Sequence, residues 1–369
     1  MEEKVIDFAK DLISIPSVSG DEKEVLDFLE NRFRENPDAE VFREKSWTAE
    51  KFAKSGAKKA VILSGHVDTV SAGNLSQWSF DPWKPFTKDG KLFGRGASDM
   101  KTGLAALTIV GEDFAKDLRD FDIWIAAVAH EEIDGQGSAD FAKWFSENTG
   151  YDEAICLIGD GNMNNIDIGQ HGTRFVSLEF HGKSGHASRP ENLAKSGLAL
   201  AAKFVSDTEK IREEMKKFSD TILGDAILTP TFINSGEESA FNSLGATARI
   251  NLDIRTVPKL DDDQIFAKFM DELVKKYSFV WKSAADHANS SVVNPECHLV
   301  KTLVEATEKR AKIAVSKGAN DQAFFVENGI QTVVYGLGDE KEFHAIDESV
   351  KISNIEPFAK IIAKFLANI

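Results

Sequence analysis

The chain has 369 residues, of which 42% are apolar and 28% charged, and its net charge is −16. This length exceeds the size at which one hydrophobic core usually stops growing, so we expect two domains, and the acidic charge argues against nucleic acid or an anionic membrane as partner. Because the only cysteines are Cys156 and Cys297, neither a disulfide scaffold nor a cysteine zinc cluster can form.

The N-terminal sequence predicts a pair of amphipathic helices. "EEKVIDFAKDLISI" and "DEKEVLDFLENRFREN" both place apolar residues at helical spacing, and "PSVSG" between them is a loop with Ser19 or Asp21 as the cap of the second helix. The first residues are acidic instead of basic and then apolar, and no run of about 18 apolar residues occurs. We therefore predict a cytoplasmic protein with no signal peptide and no membrane span.

The next segments are typical of an α/β domain. "KAVILSG" and "DIWIAAVAH" are short apolar runs that end in polar residues, as central strands of an α/β sheet do. "FTKDGKLFG" contains the Asp-Gly turn of a hairpin, and the segment beginning "TGLAALTIVG" predicts a buried helix.

From about residue 172 the pattern changes, which indicates an inserted domain. "RFVSLEFHGK" and "ATARINLDIRTVP" alternate apolar and polar residues, and a helical segment, "AKSGLALAAKFVSDTEKIREEMKKF", lies between them. The α/β pattern then resumes with helix-like "HLVKTLVEATEKRAKI", strand-like "TVVYG" and a final helix. We predict one domain formed by residues 1–171 and 290–369, and an inserted α+β domain over 172–289.

His66 and Asp68 lie near the end of the run "VILSGHVDTV". In a strand, residues two apart share a face, so both side chains project together from the end at which α/β sheets usually carry their sites. The pair suits a metal ligand and a carboxylate that orients its imidazole. A surface histidine beside an aspartate is the alternative.

Two further motifs offer carboxylates. "GRGASDMKTG" does not fit a phosphate-binding loop, because Met100 stands where that motif needs glycine; it fits a turn that presents Asp99 to two cations, or else a simple helix cap. "AHEEIDGQGS" places Glu131 and Glu132 after an apolar strand. Adjacent acids point to different sides, so one can bind a metal while the other accepts a proton from water; a solvated surface pair is the alternative.

Asp160 ends the apolar run "ICLIGDGN", and His344 lies in "EFHAIDESV" before the last helix. Either residue alone would more often be structural. Together with the three motifs above, however, each falls at the end of a separate α/β element. Nitrogen and oxygen ligands without a thiolate suit a pair of zinc, cobalt or manganese ions. The candidate ligands are His66, Asp99, Glu132, Asp160 and His344.

With these segments in place, the chain resembles the cocatalytic zinc peptidase and deacylase family that includes acetylornithine deacetylase, succinyl-diaminopimelate desuccinylase, aminoacylase and carboxypeptidase G. The resemblance runs over nearly the whole chain and rests on motifs in the family's order: "SGHVDTV", "GRGASDMKTG", "HEEIDG", "GKSGHASRP", "LDIRTVP" and "FHAIDE". It implies a catalytic α/β domain with a central mixed sheet flanked by helices, and an inserted ferredoxin-like α+β domain that mediates dimerisation and acts as a lid.

The resemblance also implies a role for each matched residue. His66 and Asp160 would bind one metal ion, Glu132 and His344 the other, and Asp99 would bridge the two ions. Asp68 would brace His66, and Glu131 would be the general base. In the inserted domain, His186 would stabilise the oxyanion, often across the dimer, while Arg255 would bind the substrate carboxylate. Asn242 and the loop residue Gly318 would contact substrate.

Several positions depart from the family pattern or have a simpler explanation. Asp160 replaces the more frequent glutamate, Lys317 replaces a usual glycine in "SKGANDQAF", and His130 replaces an acid in "AHEE". These differences bear on the substrate, not on the metal centre. Without the resemblance, His186 would be an exposed loop histidine and Arg255 an ordinary surface charge.

The leading hypothesis is a dinuclear metal-dependent amidohydrolase that deacylates N-acyl amino acids by attack of a metal-bridging water. We expect two zinc ions, with cobalt or manganese as alternatives, and a homodimer. A metallo-dipeptidase or carboxypeptidase of the same family is the alternative function, and a non-catalytic homologue is a third. A structural calcium site fits less well, because two histidine ligands do not suit so hard an ion.

Overall fold

The computed structural model describes residues 1–116, 120–285 and 288–369. The chain divides into two compact units. The first comprises Met1–Gly169, Val293–Val315 and Asn320–Ile369, and the second Gln170–Val292 and Ser316–Ala319.

Helices and strands alternate along most of the chain. The helices are α1 (Glu2–Ser14), α2 (Lys23–Arg34), α3 (Lys101–Ala115), α4 (Gln136–Asn148), α5 (Gly197–Ser206), α6 (Thr208–Met215), α7 (Pro258–Asp261), α8 (Asp263–Tyr277), α9 (His298–Ala306), α10 (Gln322–Glu327) and α11 (Ile355–Leu366). The strands are β1 (Glu40–Arg43), β2 (Trp47–Phe52), β3 (Lys59–His66), β4 (Phe86–Lys88), β5 (Lys91–Phe93), β6 (Phe121–Val128), β7 (Glu153–Ile158), β8 (Asn165–Gln170), β9 (Gly172–His181), β10 (Gly185–His186), β11 (Ile227–Ser235), β12 (Ser243–Leu244), β13 (Thr247–Thr256), β14 (Phe279–Ser283), β15 (Ser291–Val292), β16 (Lys312–Ser316), β17 (Gln331–Val334) and β18 (Ser349–Lys351).

The first unit is built on a mixed sheet with the strand order β1-β2-β6-β3-β7-β17-β8. β3 runs parallel to β6 and β7, β17 runs parallel to β7, and β2 is antiparallel to β6. Every residue of β6 is buried, which explains why its sequence is continuously apolar instead of alternating. The predicted central strands and the predicted hairpin, β4 and β5, are thereby confirmed.

The second unit is a separate α+β fold. Its sheet has the order β11-β13-β9-β14, all antiparallel, and α5, α6 and α8 complete a βαββαβ arrangement. Along β13, buried residues alternate with more exposed ones, as the sequence pattern predicted. The helical segment predicted between the strands is two helices, α5 and α6, because Ser206 and Asp207 are weak helix formers and Asp207 leaves helical geometry.

The structure contains no membrane-spanning helix candidate within the described ranges: none of its helices combines the length and apolar character that a bilayer crossing requires.

A buried glutamate lies away from the sheet edge that carries the candidate site. Glu50, on β2, is fully buried and lies near Glu112, which forms a two-pronged ion pair with Arg32. Burial and the negative charge of Glu112 raise the pKa of Glu50 to about 9. In the folded protein Glu50 therefore keeps its proton at neutral pH.

We expect Glu50→Gln to stabilise the protein at pH 8. Between the ordinary pKa of 4.5 and the folded value of about 9, folding takes up a proton, so the free energy of unfolding falls as pH rises. Glutamine has nearly the same shape and no proton to lose. Urea unfolding at pH 8 should show that the free energy of unfolding of the variant exceeds that of the parent by about 1–3 kcal/mol, the usual cost of a buried polar group without a partner. This difference should be smaller at pH 5. Equal stability of the two proteins at both pH values would contradict this assignment.

Candidate metal centre

Three neighbouring parallel strands of the first unit end at one edge of its sheet. The order β6-β3-β7 places β3 in the middle, and the register sets His66 beside Val128. Carboxyl ends of parallel strands meet at the same edge. The residues that follow β6 and β7, Glu131 with Glu132 and Asp160, therefore emerge on either side of His66.

Asp99 reaches this edge from the segment before α3. The helix packs closely against the end of β7, because a Cβ atom on Gly103 would lie 2.3 Å from the carbonyl oxygen of Gly159. Only glycine permits this approach. Asp99, two residues before the helix begins, thus comes close to the residue that follows Gly159, which is Asp160.

His66, Asp99 and Asp160 form one group of converging donors. Nε2 of His66 lies 3.0 Å from Oδ1 of Asp99, and each of the three residues offers a donor atom within 4.8 Å of the others. The other ring nitrogen, Nδ1, lies 3.0 Å from the carbonyl oxygen of Asp68. Since Nδ1–H donates to that oxygen, the lone pair of Nε2 is available to an ion.

Asp99 also belongs to a second group, with Glu132 and His344. Nε2 of His344 lies 2.9 Å from Oε2 of Glu132 and 3.3 Å from Oδ2 of Asp99. The two oxygens of Asp99 therefore face different histidines. This arrangement is the one required of a carboxylate that bridges two cations.

Asp68 organises the backbone beside the site. Its Oδ1 accepts a hydrogen bond from the N–H of Glu131, and its Oδ2 accepts one from the N–H of Glu132, both at 3.1 Å. Oδ2 also accepts a hydrogen bond from Ser19 Oγ at 2.7 Å. The Asp68 carboxylate thus holds the two adjacent glutamates, while its carbonyl oxygen orients His66.

The prediction that Ser19 or Asp21 caps the second helix is wrong. The N-cap of α2 is Glu22 and not Ser19 or Asp21, and no side chain caps that helix. The hydroxyl of Ser19 binds Asp68 instead, 49 residues away in sequence. Serine in a short polar loop favours caps and turns, so the local pattern carried no signal for this contact.

The histidines and Asp99 influence each other's protonation. Although burial opposes a charge on His66, hydrogen bonds to Asp68 and Asp99 raise the pKa of this histidine well above its usual value. Asp99 responds in the opposite sense: despite its burial, His344 and His66 hold the pKa of this carboxyl below its usual range.

The other two candidate acidic ligands, Glu132 and Asp160, are largely buried near the negative charge of Asp99. Burial, reinforced by the charge of Asp99, raises the pKa of Glu132 to about 7 and that of Asp160 to about 6. A buried set of carboxylates that repel one another is stabilised by bound cations.

The donor set fits divalent ions of the zinc type. Two imidazoles and three carboxylates converge with no thiolate, and Zn²⁺ binds such nitrogen and oxygen ligands. Nε2 of His66 faces its group while Nδ1 is hydrogen-bonded to the backbone, and Asp99 is shared between the two groups. The residues therefore suit a pair of ions, one held by each group.

Glu131 differs from its neighbour Glu132. Its carboxylate makes no hydrogen bond to any residue within the described part of the chain, whereas that of Glu132 contacts His344. Burial raises the pKa of Glu131 well above its usual value, and the charges of Asp321, Asp160 and Asp99 add to this effect. Sequence reasoning missed Asp321, a buried carboxyl whose pKa burial raises to about 7. Its position in "SKGANDQAF" was the available signal.

The other predicted site residues lie in the second unit. His186 ends the short strand β10, which pairs with β12. Its Nδ1 accepts hydrogen bonds from Ser188 Oγ at 2.8 Å and from the Ser188 N–H at 3.2 Å. Nδ1 is then the unprotonated nitrogen, so Nε2 of this exposed imidazole carries the proton.

Asn242 lies beside this histidine, because its carbonyl oxygen accepts a hydrogen bond from the N–H of Ala187 at 2.9 Å. Its side chain is exposed. Gly318 is also exposed, and its N–H donates to Ser316 Oγ at 3.1 Å. The structure thus brings His186 and Asn242 together within the second unit.

Arg255, on β13, is partly paired. Its Nε lies 2.8 Å and its Nη2 3.0 Å from the carboxylate of Asp253, and its Nη1 donates to Thr173 Oγ1 at 2.9 Å. A guanidinium has five N–H donors, so one N–H on each terminal nitrogen stays available. A bidentate contact with a carboxylate can use these two.

The sequence of this chain is similar to a known family and to characterised relatives. Residues 62–368 match the sequence model of peptidase family M20/M25/M40. A succinyl-diaminopimelate desuccinylase from Acinetobacter baylyi is 26% identical over 330 residues, which cover 85% of this chain and 85% of that protein.

Two solved structures share the fold over nearly the whole chain. One is an M20 family metallo-carboxypeptidase from Sulfolobus solfataricus, with a TM-score of 0.76, 18% identity, and coverage of 99% of each chain. The other is an aminopeptidase from Bacillus cereus, with a TM-score of 0.76, 18% identity, and coverage of 100% of this chain and 98% of that one. These similarities confirm the predicted fold class.

Proposed function

The chain belongs to peptidase family M20/M25/M40 and is a metal-dependent hydrolase of amide bonds, and on this premise we propose that it removes the acyl group from N-acyl amino acids. The observation that carries the proposal is Asp99, whose two carboxylate oxygens face His66 and His344. The similarity to a succinyl-diaminopimelate desuccinylase favours a dicarboxylic acyl group such as succinyl.

Each ion would have its own ligands. His66 and Asp160 would hold one ion, Glu132 and His344 the other, and Asp99 would be shared between the two groups. A bound pair of divalent ions polarises a carbonyl oxygen and lowers the pKa of water. We favour zinc, and cobalt and manganese suit the same donors.

Glu131 is the proposed general base. Its carboxylate is next in sequence to a ligand yet makes no contact with His344, so it is free to accept the proton of the attacking water. It then returns this proton to the leaving amine. Asp68 supports the step by holding the backbone N–H of Glu131.

His186 is the proposed oxyanion donor. With Nδ1 occupied by Ser188, its Nε2–H can donate to the negative oxygen that forms when water adds to the carbonyl. We propose that the first unit is catalytic, that the second mediates dimerisation, and that His186 acts across a homodimer. Asn242, adjacent to it, and Gly318 would contact substrate.

Arg255 provides the proposed specificity for a free α-carboxylate, and its replacement gives a direct test. A charge-assisted hydrogen bond contributes about 1.5–3 kcal/mol, so Arg255→Gln should raise KM for N-acyl amino acids about 10- to 100-fold. The KM for an amidated substrate should not change. Steady-state kinetics on both substrates measure the difference.

The matched control for this prediction is Arg249→Gln. Arg249 lies on the same strand and pairs with Glu179 on the surface, so its loss should alter neither KM. If Arg255→Gln weakened both substrates equally, Arg255 would not be the carboxylate contact.

The whole proposal is tested by a metal and substrate panel. Chelator-stripped protein is reloaded with zinc, cobalt or manganese, its metal content is measured, and it is assayed on N-succinyl-diaminopimelate, N-acetylornithine, other N-acyl amino acids and dipeptides. We expect two ions per chain and the highest kcat/KM on an N-acyl amino acid. Preference for dipeptides would favour the peptidase alternative, and two bound ions without any hydrolysis would indicate a non-catalytic homologue.

A further inference from the structure

Glu348 connects two distant parts of the metal centre. This side chain is fully buried, just before β18 and four residues after His344 in sequence. Its Oε1 accepts hydrogen bonds from the N–H groups of Ser98 and Asp99 at 2.8 and 3.1 Å. Its Oε2 accepts them from Arg95 Nη1 at 2.8 Å and from the N–H of Gly96 at 3.0 Å.

Four donors on one carboxylate fix the turn that carries Asp99. Three of them are backbone N–H groups of the segment 96–99, so this segment wraps around the Glu348 carboxylate. The carbonyl oxygen of Glu348 also accepts a hydrogen bond from the N–H of Gly94 at 3.1 Å. The backbone position of Asp99 is therefore set by a residue about 250 positions away in the chain.

Arg95 extends the same network to His344. While Nη1 binds Glu348, Nη2 donates to the carbonyl oxygen of His344 at 3.4 Å, and the guanidinium lies over the ring of Trp78. The His344 side chain is half exposed and its φ is +59°. With little packing around the imidazole, the position of this residue depends on how its backbone is held.

We propose that Glu348 is a positioning residue that holds Asp99 directly and His344 through Arg95, at the spacing needed to bind two metal ions. This inference rests on the proposed function only in that the site binds a metal pair. Glu348 belongs to neither group of donors and contacts Asp99 through the backbone N–H of that residue, so its role is to present ligands that belong to two distant segments.

Glutamine at position 348 has the right size, but it has an N–H donor group where glutamate has an oxygen that accepts hydrogen bonds. One of the two carboxylate oxygens would become an NH₂ group, so two of the four N–H groups would face another donor in either orientation. Arg95, which is only 3% exposed, would also lose its ionic partner. The 96–99 segment and the carbonyl of His344 would then no longer be held together.

The test measures metal affinity, not activity. In Glu348→Gln, chelator competition should show zinc binding weakened about 10- to 100-fold, the range seen when residues that orient ligands are replaced. The visible absorption spectrum of the Co²⁺-loaded protein, which reports coordination geometry, should change. Circular dichroism of the metal-free variant should match the parent.

Two further variants make the result decisive. Glu50→Gln removes another fully buried glutamate outside the metal groups, so its zinc affinity and Co²⁺ spectrum should match the parent. Arg95→Lys keeps a cation beside Glu348 but loses the bond to His344, so it should alter the Co²⁺ spectrum even if Glu348→Gln fails to fold.

The outcomes separate this inference from the proposed function. Parent-like affinity and spectrum in a folded Glu348→Gln would overturn the inference, as would a parent-like spectrum in Arg95→Lys where Glu348→Gln does not fold. A parent protein that binds no zinc or cobalt would instead overturn the proposed function, and the inference with it.

Discussion

Replacement of Glu131 by glutamine is expected to lower kcat by about 10²- to 10⁴-fold, the usual contribution of a general base, while the protein keeps both metal ions. The physical reason is the different use of two adjacent acids. The Glu132 carboxylate lies 2.9 Å from His344 Nε2. Burial, and then the charges of nearby carboxylates, raise the pKa of Glu131, and among the described residues this side chain has no ligand contact that would stop it from taking a proton. Steady-state kinetics and elemental analysis of one preparation measure both properties.

The matched control is Glu132→Gln. The change is the same and the position is the next one in sequence, yet this variant should lose metal as well as activity, because a ligand of one ion is gone. If Glu131→Gln also lost metal, or kept more than about 1% of the parent's kcat, the upper limit of what loss of a general base leaves, the two roles would have to be reassigned.

The strands that carry the site were predictable because of their burial. β3 and β6 are covered on both faces, so their sequences are apolar until a polar residue marks the sheet edge, as at His66 and after Val128. The pattern of each strand predicted where it ends. It did not predict that β6, β3 and β7 are neighbours, because strand order is a property of the tertiary structure.

Contacts between distant segments were not predictable from local patterns. Glu348 lies in the motif "FHAIDE", yet that motif indicated only His344, because nothing near position 348 reveals partners at positions 95–99. Ser19 is a similar case, since a loop serine is an equally good helix cap. Both side chains owe their role to tertiary contacts, which sequence periodicity does not contain.

The ion pair between Arg255 and Asp253 is a contact between near neighbours in sequence that the sequence pattern also did not predict. Asp253 lies two positions earlier on the same strand, so both side chains share one face and pair. The alternation along β13 placed Arg255 on that exposed face correctly. The Asp253 carboxylate also influences whether the Arg255 guanidinium can bind a substrate. The Arg255→Gln experiment tests whether this guanidinium binds the substrate carboxylate.

Replacement of His186 by alanine is expected to lower kcat by about 10²- to 10³-fold, the typical effect of losing an oxyanion donor, with zinc content unchanged. His186 lies in the second unit and its Nε2–H is the free donor, so the variant removes a hydrogen bond made only as the reaction proceeds. Ser188→Ala is the milder counterpart, because it removes the hydroxyl contact with Nδ1 but keeps the backbone hydrogen bond to Nδ1 and the imidazole, and it should retain most of the activity.

Mixing His186→Ala with Glu131→Gln tests where this histidine acts. In a C₂ dimer whose histidine crosses to the partner, the mixed dimer has one site with both residues intact, so random pairing should restore about a quarter of the parent activity. If each histidine serves its own chain, neither site of the mixed dimer is complete and no activity returns. Subunit exchange, verified by mass spectrometry of differently tagged chains, ensures that an absence of recovery reflects the site and not a failure to mix.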